Sequence, residues 1–281
     1  MKNRLLLILA SVAFAAAPHA RATLIDFNGS ATDYTGNFTA NNGASVAWGA
    51  SSGVGTPATG GLTGLNTAGG STIIYNPGGN FAGHSLTAGS SYTLELFART
   101  NTFTGTGSGF GVLHLGFGTS SALAFNSQVV EQFAARVQGT ATAGQMVLAY
   151  RNVATSGGTA TNSALGAAFT LANDTWYKFS TTITKSSTAG AWDLTVSLQN
   201  WGSDGTSFVS TIASESATGI ANTALYNDSS LFAGYYARNT TGTPRQFIAA
   251  DNFTVIPEPS SFAALAGLAG LGLAASRRRR A

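Results

Sequence analysis

Three residues near the C-terminus have the types and the order of a processing signal. Pro257, Glu258 and Pro259 precede an uncharged stretch, residues 260–276, and a basic cluster of Arg277, Arg278, Arg279 and Arg280. Each proline removes an amide donor and biases the residue before it toward extended backbone. We therefore expect Ile256–Pro259 to be an extended, accessible strip, which is the form that a protease or transpeptidase requires.

The apolar stretch at residues 261–276 predicts a membrane helix. Its sixteen residues give a helix of ~24 Å, a little shorter than the ~30 Å hydrocarbon core. Long arginine side chains at one end extend this reach. Because basic flanks stay in the cytoplasm, we expect the body of the protein outside the inner membrane and the arginine tail inside.

The N-terminus predicts a second targeting segment. Two basic residues precede the apolar run Leu5–Ala17, which has the length of a signal-peptide core and is too short for a comfortable membrane span. Ala20 and Ala22 provide the small residues that signal peptidase needs. We predict cleavage after Ala22 and a mature chain that starts at Thr23.

The C-terminal arrangement resembles a PEP-CTERM sorting signal of Gram-negative bacteria that make extracellular polysaccharide. The resemblance covers residues 256–281. It implies processing by an exosortase-like enzyme, transient anchoring in the inner membrane with the tail in the cytoplasm, and then a place at the cell surface or outside the cell. The predicted organisation is a signal peptide at 1–22, one domain at 23–256 and a sorting signal at 257–281.

The charge of the predicted domain differs in sign from that of the whole chain. The full sequence has a formal net charge of +3, but residues 23–256 contain seven basic and ten acidic residues. This composition gives no support for nucleic-acid binding. The chain has no cysteine, so an exported domain must be stabilised by its core or by bound ions.

Period-two alternation of apolar and polar residues predicts an all-β, two-sheet antiparallel sandwich. The clearest strands are Tyr92–Arg99, Trp176–Thr184 and Trp192–Gln199. Further strands are predicted at Leu24–Asn28, Val46–Trp48, Thr72–Tyr75, Val112–Phe117, Met146–Asn152, Phe208–Ile212, Leu231–Ala237 and Phe247–Val255. Val129–Val137 fits a helix or a strand, and we favour a strand. The first and last strands are expected to lie together.

Three short phrases resemble concanavalin-like and laminin-G-type jelly rolls. They are Trp176-Tyr177-Lys178, the strand Trp192–Val196 and the closing strand Asp251–Val255. The resemblance implies a jelly-roll sandwich. Jelly-roll binding modules often hold calcium where their first and last strands meet, which would place Asp26 and Asp251 at such a structural calcium site. Carboxylate oxygens suit this ion.

Two features leave alternatives open. Asp204, in a glycine-containing turn, is a second calcium candidate, although aspartate also favours such turns without any ion. Trp201, in a polar loop, is the tryptophan best placed to stack on a sugar, whereas Trp192 alternates with core residues. Exposed single aromatic residues are also common without function.

No pattern in the sequence indicates catalysis. A glycosidase needs two facing carboxylates, and Glu95, Glu131 and Glu215 are isolated. Alternation places His114 on the outward side of a strand, without a second histidine at metal-ligand spacing. We expect a non-catalytic protein of the cell envelope or extracellular matrix. The alternative is a carbohydrate-binding module that recognises exopolysaccharide, and a more distant one is a glycan-active enzyme.

Overall fold

The computed structural model describes residues 23–28, 32, 38–41, 47–55, 58–63, 71–75, 87–100, 111–120, 125, 127–142, 144–229, 231–237 and 247–257. Its elements, in chain order, are β1 (Thr23–Ile25), β2 (Phe38–Asn41), β3 (Ala47–Gly49), β4 (Gly61–Thr63), β5 (Ser71–Tyr75), β6 (Ser91–Thr100), β7 (Gly111–Gly118), β8 (Gln132–Gly139), β9 (Gln145–Val153), β10 (Thr161–Thr170), β11 (Trp176–Lys185), β12 (Ala191–Asn200), β13 (Ser210–Ala221), α1 (Thr223–Asn227), β14 (Phe232–Ala237) and β15 (Phe247–Pro257).

The described strands form two antiparallel sheets. The eight-stranded sheet has the order β13-β12-β11-β6-β15-β4-β3, with β1 also paired to β15. The seven-stranded sheet has the order β10-β9-β8-β7-β14-β5-β2. This architecture confirms the predicted all-β, two-sheet sandwich.

Alternating apolar side chains fill the space between the sheets. In β6, Tyr92, Leu94 and Leu96 are buried, whereas Glu95 and Phe97 on the opposite side are half-buried. Core residues of β12 include Trp192, as its alternation predicts. Burial of such side chains contributes about 1.5–3 kcal/mol each, which suits a domain without disulfides.

The two ends of the domain meet in the eight-stranded sheet. Strand β1 pairs with β15, where Thr23 lies opposite Val255, so the predicted pairing of the first and last strands is confirmed. Strand β15 continues to Pro257, which lies opposite Tyr92 of β6. The C-terminal residues of the domain are therefore extended, as predicted, but they are paired within the sheet.

The predicted targeting segments lie outside the described residues. These segments are the signal peptide with Ala20 and Ala22, the rest of the sorting signal from Glu258 and Pro259 onward, the apolar stretch at 261–276, and Arg277, Arg278, Arg279 and Arg280. Within the described part of the chain, no helix combines the length and the apolar character that a membrane crossing needs.

One of the open strand predictions is confirmed, another has different bounds, and one strand was not predicted. Residues 132–139 form a strand, as favoured for Val129–Val137. The strand predicted at Phe208–Ile212 begins at Ser210 and runs on to Ala221, while Phe208 and Val209 are exposed. Strand β10 was not predicted, because its side chains are mostly exposed and small and give no apolar alternation.

Candidate functional site

The side of the seven-stranded sheet that faces away from the core is polar and yet buried. In β8, Phe133, Ala135 and Val137 point into the core. The residues between them must point to the outer face because side chains alternate along a strand. All eight residues of β8 are nevertheless buried, so the outer face of this sheet is covered.

A row of three polar side chains crosses this outer face. Arg136 of β8 lies opposite His114 of β7, and His114 lies opposite Tyr236 of β14. The rings of His114 and Tyr236 are 5.0 Å apart between centroids. Each of the three side chains is at least nine-tenths buried. We call Arg136, His114 and Tyr236 the polar row.

Two arginines converge beside the polar row. Arg151 of β9 lies opposite Asn162 of the edge strand β10. The Asn162 Oδ1 atom accepts hydrogen bonds from Arg151 Nη1, at 3.2 Å, and from Arg136 Nη1. Arg151 is 8% exposed, and burial lowers the pKa of its guanidinium while the nearby Tyr236 raises it. Arg136 and Arg151, which we call the arginine pair, thus share one neutral acceptor.

The loop between β7 and β8 covers part of the outer face. Phe125 is fully buried, and its ring centroid lies 6.0 Å from that of His114. Phe125 and Val130 pack in a small apolar cluster with Ala134 and Tyr236. Apolar residues of this loop therefore shield the polar row from water.

Hydrogen bonds hold this loop in place. Glu131 accepts from the Thr119 hydroxyl at 2.9 Å and from the Ser156 amide at 3.0 Å. Backbone hydrogen bonds, from its own amide and then that of Ser156, lower the pKa of Glu131. The Ser127 carbonyl oxygen accepts from Arg151 Nη2 at 2.9 Å. The arginine pair therefore lies against a loop that hydrogen bonds hold in place.

Two polar atoms of the outer face have no hydrogen-bond partner within the described part of the chain. They are the Nε of Arg151 and the Oε1 of Gln138, and both side chains are nine-tenths or more buried. Native proteins seldom leave buried polar atoms unsatisfied. Asn162, in contrast, is exposed at the sheet edge, so the groups around the arginine pair lie close to solvent.

Of the three predicted calcium ligands, Asp26 and Asp251 lie close enough for their charges to interact. Asp251 is fully buried, and its carboxylate accepts from the Val54 amide at 2.8 Å and the Asn252 amide at 2.7 Å. Burial first, and the negative charge of Asp26 to a smaller extent, raise the pKa of Asp251 to about 7, against the lowering effect of its hydrogen bonds from the Val54 and Asn252 amides. A Cβ atom on Gly53 would lie 2.6 Å from Asp251 Oδ2, so glycine is required there.

The donor set around Asp251 supplies only part of a calcium shell. Calcium takes six to eight oxygen ligands, and the described residues contain no group of three metal-binding side chains. Asp204 acts as a turn residue, because its carboxylate accepts from the Thr206 amide at 3.1 Å. Its carbonyl oxygen accepts from the Gly55 amide at 2.7 Å. Asp26 and Asp251 remain the better placed pair for this ion.

Trp201 directly follows the last residue of β12, in the eight-stranded sheet, and is half-buried instead of fully exposed. Its ring packs edge-on against Phe97 at 5.1 Å and Phe208 at 6.2 Å between centroids. Its indole N–H donates to Gln199 Oε1 at 3.1 Å. Trp201 thus belongs to a small aromatic patch on the outer face of the eight-stranded sheet, whereas the polar row lies on the seven-stranded sheet.

Sequence reasoning missed the polar row and the arginine pair. It placed His114 on the outward side of its strand, and the structure confirms that direction, but it did not foresee burial. The available signal was the alternation of Gln132, Arg136 and Gln138 with core residues of β8. The loop that covers them leaves no comparable signal in the sequence.

Solved structures similar to this chain include a carbohydrate esterase and legume lectins. The carbohydrate esterase of the Shiga toxin-encoding bacteriophage phi24B is similar, with a TM-score of 0.50, 13% identity, and coverage of 85% of this chain and 100% of the esterase. Peanut lectin (0.45, 9%, 85% and 100%) and winged bean acidic lectin with methyl-α-D-galactose (0.42, 12%, 85% and 100%) are also similar. No curated protein matches at a significant level.

Comparison with family models identifies the C-terminal segment. Residues 255–280 match the PEP-CTERM protein-sorting motif. The chain therefore carries a sorting motif that implies export and delivery to the cell surface, attached directly to a two-sheet β-sandwich.

Proposed function

We propose that this chain is an exported, exosortase-sorted surface protein whose sandwich binds polysaccharide without catalysis. The observation that carries the proposal is the outer face of the seven-stranded sheet. There the polar row, the arginine pair and Asn162 place hydrogen-bonding groups of five strands, β14 to β10, on one face of the sheet, which is exposed at Asn162. Sites that fix sugars use a few well-placed polar groups beside aromatic rings.

The exposed edge beside the polar row has groups that such a ligand needs. Tyr236 and His114 are buried beneath the covering loop and support this surface from within, while the side-chain amide of Asn162 lies exposed at the edge and can meet sugar hydroxyls. The guanidinium of Arg151 and the amide of Gln138 add hydrogen-bonding groups beside them. The sorting motif would bring this surface to the extracellular polysaccharide, where binding would retain the protein in the matrix.

The aromatic patch around Trp201 is the second candidate surface. Its rings offer stacking but few polar groups, and Trp201 already uses its indole N–H within the protein. Because the two surfaces lie on opposite sheets, single substitutions separate them.

Titration of the full-length chain in detergent with purified polysaccharides tests the proposal. We expect Asn162→Ala to weaken binding about tenfold, which corresponds to loss of one or two good hydrogen bonds. Trp201→Ala is the matched control and should leave the affinity unchanged. Circular dichroism and thermal unfolding of each variant check that the fold is retained.

Three results would contradict the proposal. Absence of binding to any polysaccharide tested would remove the binding function. Loss of binding in Trp201→Ala alone would move the site to the other sheet. Release of new reducing ends or unsaturated sugar products during incubation would show catalysis, since His114 and Tyr236 are of residue types that exchange protons.

A further inference from the structure

The first strand of the sandwich begins, and the last strand finishes, at the same end of the eight-stranded sheet. Strand β1 begins at Thr23, opposite Val255, and β15 finishes at Pro257, opposite Tyr92 of β6. Thr23 is also the predicted first residue of the mature chain. We call this end of the sheet the tethered end, because the sorting signal leaves the sandwich from it.

The chain leaves little distance between the tethered end and the predicted membrane helix. Three residues, 258–260, separate Pro257 from the apolar stretch at 261–276. The path from Pro257 to residue 261 spans at most ~14 Å when fully extended, and the headgroup layer of one leaflet takes up ~5–8 Å of it. The tethered end must therefore lie within about 10 Å of the lipid headgroups while the apolar stretch is in the membrane.

Three turns form the surface of the tethered end. They are residues 87–90 before β6, residues 186–190 between β11 and β12, and residues 221–224, where β13 finishes and α1 begins. Hydrogen bonds join these turns to each other. The Gly89 amide donates to the Lys185 carbonyl oxygen at 2.7 Å, and the Asn222 amide donates to the Gly190 carbonyl oxygen at 2.8 Å. The turns therefore form one continuous surface.

The surface of the tethered end is small in its side chains and uncharged. None of the three turns contains a charged residue, and their exposed residues are Thr87, Ala88, Gly89, Ser187, Thr188, Ala189, Ala221, Thr223 and Ala224. Such residues can approach lipid headgroups without the cost of removing water from a charge.

Two charged residues border this surface. Lys185 and Asp228 are both half-buried, and the Lys185 ammonium lies over the ring of Tyr226, 4.2 Å from its centroid. Tyrosine is common at the level of lipid headgroups, and lysine is attracted to anionic lipids. The border of the tethered end is thus also compatible with a lipid surface.

The far end of the same sheet has a different character. Arg99 and Asp174 form an exposed ion pair there, and Asp204 lies in the loop that follows β12. Strands β11 and β12 have ten residues each, so the far end lies ~33 Å from the tethered end. Exposed charge is therefore found at the end of this sheet that is away from the predicted membrane helix.

We infer, on the basis of the sorting part of the proposed function, that the tethered end rests against the lipid surface of the inner membrane before processing. The strands of the eight-stranded sheet then stand upright on the membrane, with the three uncharged turns toward the headgroups and Asp204 away from them. Processing of the sorting signal releases this surface from the lipid.

Fluorescent labels at the two ends of the sheet test the orientation. Because the chain has no cysteine, Thr188→Cys and Thr206→Cys each accept one fluorophore at an exposed position, on the tethered end and on the far end. The full-length chain is placed in vesicles of phosphatidylethanolamine and phosphatidylglycerol that contain a lipid with a spin-labelled headgroup, which quenches a fluorophore close to it. We expect strong loss of emission at Thr188→Cys and none at Thr206→Cys.

Added charges test whether the turns touch the headgroups. Ala88→Glu combined with Ala189→Glu places two carboxylates at exposed positions of the tethered end, where they repel phosphatidylglycerol. We expect this change to reduce the quenching of the label at Thr188→Cys. Ser203→Glu with Ser207→Glu, both exposed at the far end, is the matched control and should leave the quenching unchanged. Circular dichroism checks that each variant is folded.

Three results would overturn the inference. Equal quenching at the two labelled positions would mean that the sheet lies flat on the membrane. Absence of quenching at Thr188→Cys would mean that the tethered end stays away from the lipid. Quenching that is unchanged by Ala88→Glu with Ala189→Glu would contradict contact between the turns and the headgroups.

A separate result distinguishes failure of the proposed function. Extraction of the full-length chain from the vesicles by alkaline carbonate would show that the apolar stretch at 261–276 does not anchor it. The anchoring part of the proposed function would then fail together with this inference. Polysaccharide binding is measured on its own with Asn162→Ala and does not depend on the quenching results.

Discussion

Asp251 shows how one residue can carry a measurable charge effect. Its carboxyl is fully buried and has a pKa of about 7, well above the value near 3.9 of an unfolded aspartate. The folded state therefore binds the proton more tightly than the unfolded state. The stability that this proton provides is complete below about pH 4 and is lost as the pH rises through about 7.

We predict that the free energy of unfolding decreases between pH 4 and pH 8 by up to about 4 kcal/mol in the presence of a chelator. Asp251→Asn removes the titration and should flatten this profile. Urea unfolding of the full-length chain at a series of pH values measures it. A profile that keeps the same slope in the variant would contradict the assignment to Asp251.

Calcium gives the same experiment a second use. Sequence reasoning places calcium at Asp26 and Asp251, and a bound cation would favour the ionised carboxylates. Added calcium should then raise stability at pH 7 and have little effect at pH 4. An identical profile with and without calcium would count against this ion.

Strands with strict alternation could be predicted from sequence, and strands without it could not. The buried positions of β6 and β12 recur every second residue, which identifies both strands and their core faces. Strand β10 contains Gly166 in a left-handed conformation and a register shift between Leu165 and Phe169. Strand β4 has only three residues within a glycine-rich segment.

The site depends on contacts that alternation does not encode. The sequence of residues 132–139 predicts a strand with one face toward the core and the other toward solvent. The loop before β8, anchored through Glu131, turns the second face into a buried one. This burial arises from tertiary contacts of the loop, which alternation within a strand does not encode. Only the direction of the His114 side chain could therefore be predicted.

The last strand joins the sandwich to the sorting motif without a spacer. Strand β15 includes Pro257, and residues 255–280 match the motif. We predict that changing Pro257, Glu258 and Pro259 to alanine leaves the unprocessed precursor in the inner membrane, because the extended, proline-flanked strip is lost. Fractionation and immunoblotting of membranes and medium measure this.

A matched control for the sorting prediction lies at the same end of the sandwich. Ser187 is exposed in the turn between β11 and β12, and Ser187→Ala should leave processing unchanged. Normal maturation of the triple-alanine variant would contradict the sorting role of these three residues.

At the scale of the whole molecule, charge sharpens the binding hypothesis. The domain at 23–256 has three more acidic than basic residues, so its overall field repels an acidic polysaccharide. Binding of such a polymer cannot come from general attraction and requires a local site.

The most direct measurement of the central claim is an NMR titration of the arginine Nε–H and tryptophan indole N–H signals in the full-length chain with a polysaccharide. We predict that the Nε–H signals of Arg151 and Arg136 shift and saturate with the polymer, while the Arg99 signal and the Trp201 indole signal stay in place. Saturating shifts at Trp201 or Arg99, with Arg151 unchanged, would contradict a binding site on the outer face of the seven-stranded sheet.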